Sequence, residues 1–90
     1  MEVQLEGVVL KEQGVTFAVV IVKKHIVDDP GQAREAIRNF MPFFPRLPII
    51  LMGQDSRGVA TYYGRSDIAK FLANQPLSAI PWKKYTFTRN

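Results

Sequence analysis

Two stretches of this chain are apolar at every position: Phe17-Ala18-Val19-Val20-Ile21-Val22 and Ile49-Ile50-Leu51-Met52. A strand with one wet face alternates apolar and polar residues, whereas an unbroken apolar run buries both faces. Both runs are therefore expected as central strands. Between them lies one clear amphipathic helix. Asp29 stands at the N-cap, Pro30 at the first helical position and Gln32 where a capping-box partner belongs. Ala33, Ala36, Ile37, Phe40, Met41 and Phe44 follow helical spacing on one side, with Arg34, Glu35, Arg38 and Asn39 on the other. Pro42 ends the helix at about Met41. Two strands joined through a single helix lie parallel, by a crossover connection.

The flanking segments complete a sheet. In residues 3–11 the apolar positions move from Val3 and Leu5 to Val8 and Leu10, one step out of phase, which predicts a bulge at Gly7. Lys11-Glu12-Gln13-Gly14 reads as a tight turn, and Val15 to Lys23 returns antiparallel to the first strand. Prolines at 42, 45 and 48 suit a polyproline II link that carries Phe43 and Phe44 back across the core. Residues 53–58 are turn chemistry, Val59 to Tyr63 an antiparallel strand, and Gly64 a break. Ser66 caps a short helix with Asp67 in its first turn and Ile68, Phe71 and Leu72 as its stripe; Asn74 and Pro76 stop it. Lys83 to Thr88 alternates as an edge strand. The expected architecture is one α/β domain over residues 1–90, bordering on α+β. Its sheet is mixed and its elements run β-β-α-β-β-α-β.

No cysteine is present, which excludes disulfide staples, thiolate metal sites, thiol nucleophiles and thiol redox cycling. Small secreted domains usually need staples, so the composition favours the cytoplasm. The segment Met1-Glu2-Val3-Gln4 lacks the basic start of a signal peptide. The longest nearly apolar run, Val15 to Val22, falls far short of the roughly 20 residues that cross a bilayer. A chain of this length buries only about two-thirds of its unfolded surface, so dimerisation is a natural supplement.

The stretch Leu47-Pro48-Ile49-Ile50-Leu51-Met52, then Arg57-Gly58-Val59-Ala60-Thr61-Tyr62-Tyr63-Gly64-Arg65, then Ile68-Ala69-Lys70-Phe71-Leu72 resembles the C-terminal half of the thioredoxin family. That half has a proline opening an apolar strand, a turn ending in glycine, a second strand, a further glycine and a helix. The resemblance implies a thioredoxin-like fold and a cis Leu47–Pro48 bond. It implies no redox activity, because the place of the family's CxxC reads Lys24-His25-Ile26-Val27-Asp28-Asp29.

Three sites compete for function. His25, the only histidine, follows a central strand and precedes Asp28 and Asp29, where a carboxylate-oriented base could sit. No nucleophile or oxyanion motif accompanies it, and Asp29 is already occupied as a cap, so a solvated histidine is the simpler reading. The second candidate is basic and aromatic: Arg57, Tyr62, Tyr63, Arg65, Trp82, Lys83, Lys84 and Tyr85. Residues 46–90 hold seven Lys and Arg against two Asp, whereas residues 1–45 hold five against six acids. Such a set can stack bases and contact phosphates. Tyr62 and Tyr63 point to opposite sides of a strand, however, so at most one is free, and no nucleic-acid-binding motif accompanies them. Neither a phosphate-binding glycine loop nor a calcium loop is present, so no cofactor and no metal is expected.

The third candidate is an interface. Two doubly buried strands need cover on both sides, and only two helices are on hand. Either they lie on opposite faces, or one face meets a second copy. The expectation is a non-enzymatic protein-interaction or self-associating module. Anion or nucleic-acid binding through the basic half is the alternative, and a site at His25 and Asp28 comes third.

Overall fold

The computed structural model describes residues 2–88. Strands β1 (Glu2–Glu12) and β2 (Val15–Ile21) form an antiparallel hairpin around Gln13-Gly14, whose φ values are 51° and 79°. Positive φ at both loop residues matches the twist of the flanking strands. The chain then makes a helical turn, α1 (Lys24–Asp28), and the amphipathic helix α2 (Pro30–Phe40). Strand β3 (Ile49–Gln54) lies parallel to β2, and β4 (Ala60–Tyr63) returns antiparallel beside it. Helix α3 (Ser66–Ala73) follows, and β5 (Lys83–Thr88) pairs antiparallel with β1. The five strands form one mixed, open sheet in the order β4-β3-β2-β1-β5.

Both faces are covered from within the chain. Ala18, Val20, Ile49 and Leu51 pack on one side with Leu5, Val27, Ala33 and Phe44, under α1, α2 and the segment after them. Phe17, Val19, Ile50 and Met52 pack on the other with Val8, Ile68, Leu72 and Ile80, under α3. Of the two arrangements open to the sequence, the helices took opposite faces. The central strands therefore leave no bare face for a second copy among the described residues.

β1 is regular where a bulge was expected. Its register is unbroken against β2 from Gly7 to Glu12 and against β5 from Glu2 to Gly7. The change of apolar phase marks a change of cover instead. Leu5 faces the α2 side, while Val8 faces the α3 side, because each helical layer reaches only one half of the long strand. Gly7 sits at this crossing for a steric reason: a Cβ there would collide with the Val19 carbonyl oxygen.

Other local expectations need adjustment. Residues 24–28, which the resemblance sets in the place of the family's CxxC, form α1, whose Val27 is buried. Gly53 allows that approach, since a Cβ would lie 2.9 Å from both Lys24 Cα and Val27 Cγ2. Asp29 caps α2 through the N–H groups of Gly31 and Gln32. The Gln32 side chain donates to the Asp29 carboxylate at 3.1 Å, so the box closes side chain to side chain. The link at 42–48 is no polyproline helix. Met41–Phe43 is a 3-10 turn and Arg46 has φ of 69°, but Phe44 is buried as its packing role requires. Met41 left the apolar stripe and is 55% exposed, because this 3-10 turn has ended the helix. Ser66 is the first helical residue of α3 and the cap is Arg65. All described peptide bonds are trans, Leu47–Pro48 included.

The steric assignment of Gly7 makes a contrast measurable by urea unfolding. Gly7→Ala should cost about 1–3 kcal/mol, the usual range for overpacking. Gly14→Asn should stay within about 0.5 kcal/mol, since its neighbourhood is open and asparagine tolerates the left-handed region. Equal losses at both positions would contradict it.

Candidate functional site

The sheet is stepped. β1 has eleven residues and β2 seven, so the ladder between them stops at Gly7↔Val20 and residues 2–6 run on beyond it. On its other side β1 pairs with β5 only over residues 2–7. β2 does not follow the overhang: Val22 donates its N–H to the Met52 carbonyl of β3 at 2.9 Å, and the chain turns into α1. Among the described residues, Glu2 to Leu5 therefore have no partner strand on the β2 side.

The direction of the main chain there follows from the hairpin. A two-residue loop is closed by a pair that exchanges both hydrogen bonds, here Glu12 and Val15, and this geometry alternates along an antiparallel ladder. Even-numbered residues of β1 therefore direct their N–H and C=O toward the β2 side, and odd-numbered residues toward β5. Below Gly7, Gln4 directs its main-chain groups to that side, while Glu6 faces Ile21, whose hydrogen bond closes the Gly7↔Val20 step.

A groove of about 630 Å³ adjoins this half of β1. Gln4, Leu5 and Glu6 line it from β1, Ile21 from the end of β2, and Phe40 from the end of α2. Lys84, Tyr85 and Thr86 of β5, across β1 from β2, also line it. Leu5 is buried, and Ile21, Phe40 and Tyr85 are half-buried. The lining thus mixes apolar side chains with Gln4, Glu6, Lys84 and Thr86, which are exposed.

The residues singled out from the sequence do not assemble into one surface. Tyr62 and Tyr63 lie on β4, while Lys83 and Lys84 lie on β5 at the opposite edge of the sheet. Four strand spacings, about 19 Å, separate the two sets. Tyr63 joins the α2-side core and Tyr62 the α3-side core, so the two rings do face opposite ways. Trp82 is half-buried on the α3 side and donates its indole N–H to the Leu77 carbonyl at 3.3 Å. Arg57 is exposed in the turn after β3, where the Asp55 carboxylate accepts its backbone N–H. Only Lys84 and Tyr85 of the set reach the groove. His25 is exposed on α1. Neither nearby carboxylate faces it: Asp28 binds Lys24 at 2.7 Å and Asp29 caps α2. α1 also closes the carboxyl ends of β2 and β3, the usual ligand crevice of an α/β sheet.

Arg65 is engaged in a two-bond contact with Asp67, at 2.9 and 2.7 Å. The guanidinium hydrogen bond holds the Asp67 carboxyl down at about 2. Because this folded value lies below the unfolded one, any stability the pair contributes is whole above the ordinary carboxylate range. It is lost as pH falls toward 2. Arg65→Gln should move the Asp67 midpoint up toward 3.8, read by carboxyl carbon NMR. An unmoved midpoint would show that the guanidinium is not its cause.

Tyr62 has a different difficulty. Its hydroxyl is buried without a hydrogen-bond partner among the described residues, and burial pushes its pKa up. A buried, unsatisfied hydroxyl costs on the order of 1 kcal/mol or more. Tyr62→Phe should therefore leave urea stability unchanged or raise it by about 1 kcal/mol; a loss of that size would mean the hydroxyl has a partner in solution.

Compared with protein families, characterised proteins and solved structures, the chain finds no match.

Proposed function

We propose that this chain is a protein-interaction module that takes hold of other polypeptides at the edge of its sheet. The observation behind this reading is the overhang of β1, which among the described residues leaves Gln4 without a strand partner on the β2 side, next to a groove lined by Leu5, Ile21, Phe40 and Tyr85. Strand addition is a general mode of polypeptide recognition: main-chain hydrogen bonds give affinity and alternate side chains give specificity. The partner is a different chain. With both faces of β2 and β3 covered internally, a second copy has no apolar face of the central strands to bury. A cytoplasmic setting, in keeping with a cysteine-free chain, belongs to the same proposal, and so does a thioredoxin-like relationship confined to the β3-β4-α3 unit.

Nucleic-acid binding is the competing reading, and the division of the cations between two edges weighs against it. Panning a displayed random-peptide library on the immobilised domain tests the choice. Peptides should enrich that bind about equally at roughly 50 and 200 mM salt, whereas phosphate contacts weaken steeply over that interval. No enrichment, together with salt-sensitive binding of a single-stranded oligonucleotide, would overturn the proposal. Sedimentation equilibrium at hundreds of micromolar should return the 10.2 kDa monomer. A dimer there would mean that the chain's partner is itself.

A further inference from the structure

We propose that a pit at the hairpin end of β1 anchors a lysine side chain of a partner polypeptide. The inference rests on the polypeptide-binding reading but not on the groove beside Gln4. The pit measures about 100 Å³ and lies between the β1-β2 hairpin and the first turns of α3. This is the opposite end of β1 from the Glu2↔Thr88 pair.

The pit exists because the α3 layer runs out before the sheet does. Phe17 of β2 is 1% exposed beneath α3, whereas Val15, the next residue on the same face, is only half-buried. Phe17 and the buried Ile68 therefore form a floor, with Val15 and the half-buried Phe71 as walls. A cavity of roughly 150 Å³ is enough to hold benzene. A pit of about 100 Å³ has room for an unbranched four-carbon stem.

The rim sets the charge at the end of that stem. Two exposed carboxylates, Glu12 and Asp67, belong to the lining, and no cation does. Asp67 is already matched by the two-bond contact with Arg65, and it also complements the positive end of α3. Glu12 has no such match: among the described residues it forms no ion pair. The remaining cations of these elements stand apart. Lys11 is on the other face of β1, and Lys70 is exposed on α3 outside the lining. One carboxylate is thus left uncompensated above an apolar floor. A lysine complements both parts, since its methylenes bury while its ammonium stays at the wet rim. The Phe71 ring and the exposed Gln13 amide beside Glu12 offer that ammonium further contacts.

The test takes n-butylammonium, the lysine side chain alone, as the probe. It is titrated into the full chain at constant ionic strength and followed by carbon–proton NMR. The methyl signals of Val15 and Ile68 should shift, with affinity roughly 3-fold above that of n-butanol, the scale of one exposed charge contact. n-Butyrate should bind more weakly than n-butanol. Glu12→Gln should abolish the preference for the ammonium while its thermal melt stays that of the parent. Glu35→Gln, on the exposed side of α2, should leave the preference intact. Equal affinity for all three probes would overturn the lysine assignment. Shifts confined to residues outside the pit would overturn the site. Silence toward every probe, while library peptides still enrich, would overturn this inference and leave the interaction reading standing.

Discussion

The parallel pairing of β2 with β3 is the constraint on which the rest depends. Its side chains alternate strictly between two cores: Ala18, Val20, Ile49 and Leu51 on one side, Phe17, Val19, Ile50 and Met52 on the other. Neither side tolerates water, since fully burying a Val, Leu, Ile or Phe contributes about 1.5–3 kcal/mol and exposing it forfeits that. Two layers of helix must therefore be found within a short chain. α1 and α2 supply one, and α3 with the following 3-10 turn at Leu77–Ala79 supplies the other.

That division has a cost in coverage, and the cost produces the site. Neither layer is wide enough to roof all of β1. The α2 layer reaches Leu5 through Phe44 and the edge aromatics Tyr85 and Phe87, with Phe44 edge-on to both rings. The α3 layer reaches Val8 instead. Gly7 stands where the cover changes sides and where the β5 ladder hands over to the β2 ladder. A step in the sheet and a groove beside it follow directly.

The electrostatics of the remainder are local. Lys24 with Asp28, Arg65 with Asp67 and Gln32 with Asp29 are neighbours in sequence, and each serves the helix it sits on. Such exposed contacts contribute little to stability. They do withdraw Arg65, Asp28 and Asp29 from the sites that composition suggested for them. Apparent clusters of charge in a sequence dissolve in this way when each ion already has a partner one turn off.

Much of the architecture was legible in the residues themselves. The unbroken apolar runs named the central strands, Asp29-Pro30 named the start of α2, and Lys11 to Gly14 named the hairpin turn, though Lys11 and Glu12 belong to β1. Gly64 and Asn74 bracketed α3 as read. These features depend on side-chain identity and local backbone preference, which a sequence carries openly. The candidate site did not share that legibility. Arg57, Tyr62 and Lys84 are close in composition but lie on different edges, because strand order places β4 and β5 at opposite ends of the sheet. Gln4, Leu5, Ile21 and Phe40 come from three elements, and only pairing register brings them together. One sign of it was visible in advance: the phase change at Gly7 was read as a bulge when it recorded a change of roof. Local chemistry determined which segments became strands and helices. Tertiary packing decided which halves of β1 were covered, and so where the chain was left open.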